Sequence, residues 1–261
     1  MDPAYRVTRL STTPVKGLAL HHPDSIELTS DGALGDRVFF LVDDHGEVQS
    51  CTANRGLFGL TAAYDSASRR LAITRGQEVV IEGVAEPGPA VTVDLWGVRT
   101  VVADTVADPA WSALFSDLVG KPVRFLHARG SAYDVWPVTL VGTASLDELA
   151  RHGADGLDAR RFRMLVEFSG GDPHVEDSWA GSLLEVGGAV VRAGGPVKRC
   201  AATTRDPDSG EVDLQTLRLI TSYRGRQESE FGVGAHFGVY GEVVEPGRVS
   251  LGDRLTPVGD A

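Results

Sequence analysis

The chain has 261 residues, 42% hydrophobic and 23% charged, enough for one large or two modest buried cores. A formal net charge of −11 argues against non-specific nucleic-acid binding, which needs a basic face, and only three lysines occur, Lys16, Lys121 and Lys198. No apolar run reaches the ~18 residues of a membrane span or follows a basic start as a secretory leader would, and two cysteines without a CxxC pattern, Cys51 and Cys200, predict a cytoplasmic protein with no membrane partner.

Short β-rich runs fill the first half: Arg6–Leu10, Ser25–Thr29, Arg37–Val42, Leu71–Thr74, Val79–Ile81, Ala90–Leu95 and Val98–Val102. Turn pairs at Asp31-Gly32, Asp44-His45-Gly46 and Trp96-Gly97 suit antiparallel connections. Closely spaced strands without helices between them favour a barrel or sandwich. Asp108 as cap, Pro109 at the first position and Gly120 as stop predict a helix with Trp111, Leu114, Phe115, Leu118 and Val119 on its apolar face. A second helix is predicted from Ser145, with Glu148 completing a capping box, and a third over Leu214–Tyr223 with Asp213 as cap. Further strands are predicted at Arg163–Phe168, Leu183–Val186, Ala189–Ala193 and Gly238–Val244. The loop Ala128–Asp134 separates two strand-rich parts, which places the domains at 1–127 and 128–261.

Cys200 directly follows Lys198 and Arg199. Cations beside a thiol favour thiolate, the form that binds metals and attacks electrophiles, whereas a core cysteine is a small hydrophobe; both readings are open. One sulfur without His or Cys partners is a poor zinc site and would suit a metal whose other ligands come from a bound cofactor. Thr203, Thr204 and the acidic turn Asp206–Gly210 follow. Lys16, between Pro14 and Gly17, is either a phosphate hook or a solvent-facing lysine at a strand end. Arg37 and Arg163, each leading into an apolar strand, need a carboxylate or a bound phosphate as partner. Asp134-Val135-Trp136-Pro137 is a turn whose aromatic could wall a pocket or fill a core, and Glu176–Trp179 reads as a structural turn. The seven histidines show no metal spacing, and no P-loop, GxSxG or GxGxxG motif has the right context.

In their order these stretches resemble the MOSC family, the molybdenum-cofactor-sulfurase C-terminal domain, joined to its usual N-terminal β-barrel partner. The resemblance is carried by Pro14–Gly17, Asp36-Arg37, Val42–Gly46, Gly142–Leu146, Phe162–Leu165, Glu176–Trp179, Phe237–Tyr240, Pro246-Gly247 and Gly252-Asp253. Its most specific element is the signature Arg-Cys-x-x-Thr-Thr-x-Asp-Pro-x-Ser-Gly at Arg199–Gly210. It implies a mainly β (α+β) fold, an N-terminal β-barrel-like domain followed by a β-barrel MOSC domain with a few short helices. It also implies a molybdenum cofactor bound between the two, with Cys200 as catalytic residue and metal ligand. The matching cofactor-binding positions are Lys16, Gly17, Arg37, Asp134, Val135, Trp136, Arg163, Lys198 and Arg199. A phosphorylated pterin dithiolene needs cations for its phosphate and one soft thiolate for its metal.

The function so implied, as in the amidoxime-reducing members, is reduction of a small N-hydroxylated substrate. The stretch read here carries no redox extension, so electrons are expected from a separate ferredoxin- or cytochrome-type protein. Alternatives are a cofactor carrier, a persulfide module on Cys200, or a repurposed relative without metal. The sequence departs from the family at Gly17, Val135, Gly142 and Leu165, where relatives commonly carry polar side chains.

Overall fold

The computed structural model describes residues 5–258. Seven strands close a barrel in the spatial order Tyr5–Leu10, Val166–Ser169, Val138–Gly142, His236–Glu245, Ala189–Lys198, Leu183–Val186 and Arg254–Val258, the last pairing back onto the first. The pairs are antiparallel except Val138–Gly142 with Val166–Ser169. A parallel pair needs a long crossover, and the helix Thr143–Arg151 lies within it. Leu10, Leu140, Val166, Phe168, Leu184, Val191 and Leu255 fill the barrel. The fold is mainly β, as the sequence predicts.

Most of the residues between form two of the three further sheets. One has the order Val48–Gln49, Phe39–Asp43, Val123–Ala128, Arg99–Val106, Pro87–Leu95; the other is Leu60–Asp65, Arg70–Arg75, Glu78–Val84. Every residue of Phe39–Asp43 is buried, which explains an unbroken apolar run where a half-exposed strand would alternate. Phe39 and Leu41 join Leu60, Leu71, Phe115 and Phe125 on one face, while Phe40 and Val42 join Val93, Val101 and Leu126 on the other. Two early stretches pair beyond residue 128: Tyr5–Leu10 in the barrel, and Ser25–Thr29 with Gly247–Ser250.

The helix Pro109–Val119 forms as the sequence predicts. Asp108 accepts a hydrogen bond from the Ala110 amide at 2.9 Å, and Gly120 ends the helix at φ 76°. The other two start elsewhere. The second begins at Thr143 after Gly142, because the Ser145 hydroxyl is spent on the buried Glu176 carboxylate at 2.8 and 2.9 Å. The third is Thr216–Arg224, because Asp213 is engaged by Arg161. Arg37 and Arg163 are not in strands; both hold left-handed backbone at φ 52°. Glu176–Trp179 is structural, Glu176 also accepting from the Gly142 amide.

Beneath the barrel the His174 ring accepts from Arg224 at 3.1 Å and touches the Tyr223 hydroxyl at 3.1 Å. Burial, then the Arg224 charge, pushes its pKa down to about 4. The unfolded chain therefore binds a proton below about pH 6.5 that the folded chain refuses until about pH 4. Stability should fall across that window as pH drops, by on the order of 2 kcal/mol for this part-buried ring. Denaturant titrations at pH 7 and pH 4.5 should show a smaller fall in His174→Gln. Glu176 and Asp177, both raised by burial, push the opposite way in both proteins, so the difference isolates the histidine.

Candidate functional site

A cavity of about 470 Å³ opens between the barrel and the five-stranded sheet. All ten site residues expected from the sequence line it: Lys16, Gly17, Arg37, Asp134, Val135, Trp136, Arg163, Lys198, Arg199 and Cys200. One wall comes from the segment that leaves the first barrel strand and crosses to the sheet. There the Lys16 amide donates to Phe39 O at 2.8 Å, the Arg37 amide to Thr13 O at 2.6 Å, and the Ala132 amide to Arg37 O at 2.9 Å. Three chain segments far apart in sequence are thereby sewn edge to edge.

Lys16 is not solvent-facing. It is 5% exposed, donates to Ala132 O at 2.6 Å and to Asp134, and lies 4.9 Å from the centre of the Trp96 ring. Burial lowers its pKa and Asp134 opposes that shift. Asp134, its side chain 62% exposed at the cavity, sits below the usual carboxylate range: partial desolvation in the cleft opposes this, but Lys16, then Arg37 and Arg163, outweigh it. Arg37 pairs with Asp36 and donates to Arg163 O at 3.2 Å. Arg163 donates to Leu18 O at 2.7 Å, and burial lowers its pKa, with Cys51 the first of the opposing influences. Gly17, at φ 94°, allows close approach: a Cβ there would lie 3.1 Å from the Cys51 amide nitrogen.

The opposite wall carries Cys200. It is exposed, caps the short 3-10 turn Ala201–Thr204, and its Sγ is 3.8 Å from the Thr52 hydroxyl. Thr203, fully buried, ties that turn by bonds to Cys200 O at 3.0 Å and Thr216 Oγ1 at 2.7 Å. The two cations preceding Cys200 are committed elsewhere: Lys198 donates to Phe231 O at 2.7 Å, and Arg199 to Phe162 O. Burial lowers the Arg199 pKa, opposed by Cys200, Tyr240 and Asp134. Met164, Leu165, Val135, Trp136, Val197 and Tyr240 make the cavity's apolar surface.

Sequence reasoning missed Cys51 as a lining residue, although it is the buried thiol expected, at 5% exposure. It also missed Thr52, Trp96, Arg161 and Tyr240. Trp96-Gly97 carried only a turn signal, and the hairpin tip it forms leaves Trp96 51% exposed at the cleft. Of the four departures from the family pattern, Gly17, Val135 and Leu165 line the cavity. Gly142 does not: a Cβ there would meet Glu176 at 3.2 Å and Phe168 at 3.3 Å.

Among the described residues no group of three His, Cys, Asp or Glu side chains could hold a metal ion. A metal at Cys200 would take its other donors from a bound molecule. The residues fit such a molecule if it is anionic at one end, where Lys16, Arg37 and Arg163 cluster, and presents a soft metal at the other. No helix is long and apolar enough to cross a membrane among the described residues.

Residues 129–256 match the MOSC domain model. The chain is 32% identical over 130 residues to human mitochondrial amidoxime-reducing component 1, covering 48% of this chain and 38% of that protein. Human mitochondrial amidoxime reducing component 2 is 32% identical over 126 residues, covering 47% and 37%. Molybdenum cofactor sulfurase of Solanum lycopersicum is 28% identical over 103 residues, covering 38% and 12%. The matched region thus spans well under half of these relatives. The solved YUAD protein of Bacillus subtilis is similar at 14% identity over 97% of this chain and 94% of that one, with a TM-score of 0.42. Residues 129–256 of this chain are a MOSC domain.

Proposed function

We propose that this chain is a molybdenum-cofactor-dependent oxidoreductase that reduces small N-hydroxylated compounds, with electrons from a separate ferredoxin- or cytochrome-type protein. One observation carries the reading: an exposed sulfur and six arginine or lysine residues, Lys16, Arg37 and Arg163 among them, line one cavity of about 470 Å³. Lys16, Arg37 and Arg163 would hold the cofactor's phosphate, and Cys200 would complete the metal's ligand set. When bound, the cofactor supplies two-electron redox chemistry. A hydroxylamine taking up two electrons and two protons yields the amine and one water. The chain's own part is to anchor, orient and shield. Trp136, Val135, Val197 and Tyr240 give the cavity an apolar flank suited to the carbon skeleton of the substrate.

The likeness to proteins named for amidoxime reduction and for molybdenum cofactor supports the reading. Protein purified from a host that makes molybdenum cofactor should carry close to one molybdenum per chain by elemental mass spectrometry, with pterin released on denaturation. Metal-free protein from that host would reject it. The second cavity thiol, Cys51, favours one other reading, a sulfur-relay module in which Cys200 bears a persulfide. A labile extra sulfur on Cys200 in intact-mass spectra, without molybdenum, would select it.

A further inference from the structure

The geometry points to Arg161 as the residue that positions Cys200, by pinning its loop to the turn that also carries Arg163. The loop starts where the strand Ala189–Lys198 ends, and its two ends are fastened to consecutive residues of one turn, Ala159–Phe162. At the near end Arg199 donates to the Phe162 carbonyl. At the far end Asp213 accepts both terminal nitrogens of Arg161, at 2.7 and 2.6 Å, and Asp206 stands 4.0 Å from the same guanidinium. Between these fastenings the loop is closed on itself. Arg205 and Val212 pair as an isolated bridge, the Asp206 amide donates to Glu211 O at 2.8 Å, and Asp206 accepts from the Ser209 amide at 2.7 Å. A self-bonded loop tied at both ends moves with its anchor. The next residue of that anchor is Arg163, on the cationic wall. One turn therefore sets the distance between the sulfur and the cations.

Other arginines also touch the loop, and burial separates them from Arg161. Arg160 bonds Asp208 at 2.9 and 2.8 Å, but these side chains are 34% and 72% exposed. Arg55 pairs with Glu211 at 60% and 59% exposure. Water and salt screen such pairs, so each adds little. The Arg161 side chain is 7% exposed and that of Asp213 44%, and a desolvated guanidinium with a planar fork loses most when its carboxylate is removed. The acidic residues after the cysteine are, in this account, internal clamps for its loop rather than ligands.

The inference rests on Cys200 being the functional thiol, and its test needs no metal. The exposed sulfur is reached without any opening of its loop, so the readout is deuterium exchange of the bonded loop amides of Arg205, Asp206 and Gly210, followed by mass spectrometry on the native, folded protein. Asp213→Asn should raise the rate about three- to tenfold, the scale of one net hydrogen bond lost from a closed conformation, since the Asp213 side chain is itself 44% exposed. Asp213→Glu, which can restore the pair, should return it towards the parent value, and Asp208→Asn, at the exposed pair, should leave it unchanged. Arg161→Lys, a point donor in place of the fork, should fall between and serves if Asp213→Asn does not fold. A parent-like rate in both Asp213→Asn and Arg161→Lys, or an equal rise in Asp208→Asn, overturns the inference. Protein that binds no molybdenum yet follows this pattern would remove the proposed function and leave the clamp standing.

Discussion

Cys200→Ala is expected to come out of a cofactor-producing host with its fold intact and its molybdenum lost. The sulfur is exposed at the cavity, its backbone sits at a turn held by Thr203 and Thr216, and it packs into no apolar cluster. Removing it leaves no void to collapse, so stability should change by under about 0.5 kcal/mol, as for other exposed positions. Retention should suffer far more, because no other side chain in the described residues assembles a metal site. Loss of an outer-shell partner alone typically costs roughly 10–100-fold in metal affinity or activity, and a direct ligand should exceed that. Elemental analysis and turnover of an N-hydroxylated substrate measure both. Cys51→Ala, on the same cavity but 5% exposed, should keep its metal. Equal molybdenum in the parent and in Cys200→Ala would end the assignment of the sulfur as ligand.

The second large effect lies at the other wall and separates stability from binding. In the Lys16–Asp134 pair the lysine side chain is 6% exposed and the aspartate 62%. Lys16→Met leaves behind a carboxylate that water reaches, at a cost near that of a surface pair, up to about 1 kcal/mol. Asp134→Asn leaves a buried ammonium without its ion-pair partner, with neutral acceptors in Ala132 O and the new amide oxygen, the Trp96 ring, and Asp36 as a remaining acidic influence. An uncompensated buried charge costs roughly 3–5 kcal/mol, less whatever the lysine recovers by giving up its proton. Denaturation should therefore rank Asp134→Asn well below Lys16→Met in stability. Binding should rank them the other way. Lys16→Met removes one of the three cations proposed to hold the cofactor's phosphate and should weaken cofactor retention roughly 10–100-fold, the scale of a charged hydrogen bond of about 1.5–3 kcal/mol. Released pterin per chain, read by fluorescence, gives that number. A Lys16→Met protein that retains pterin like the parent would show that the lysine serves structure alone.

Much of this molecule was legible in the chain because the signals were local. The helix Pro109–Val119 was bounded by a cap that bonds the next turn and by a glycine in left-handed backbone, both short-range devices. The strands Ser25–Thr29 and Leu183–Val186 appear with the predicted bounds, since turns and apolar content mark them without help from neighbours. The strands Leu60–Asp65, Val123–Ala128, Val138–Gly142 and Arg254–Val258 went unread, because pairing with distant partners makes them strands. The caps at Ser145 and Asp213 failed for the same reason: a buried carboxylate and a buried guanidinium competed for those side chains and won.

By itself the sequence determined the β-rich class and which residues have the chemistry for an anion and a soft metal; ordered motifs and a cysteine among hydroxyls and acids suffice for that. Only the tertiary structure decided that Lys16, Arg163 and Cys200 share one cavity, that the flanking cations Lys198 and Arg199 point to carbonyls, and that Asp213, after the acidic turn, is bound by Arg161. The reason is physical. A side chain's partner is set by which desolvated groups must find one another once the core closes, and that choice spans more than a hundred residues of chain.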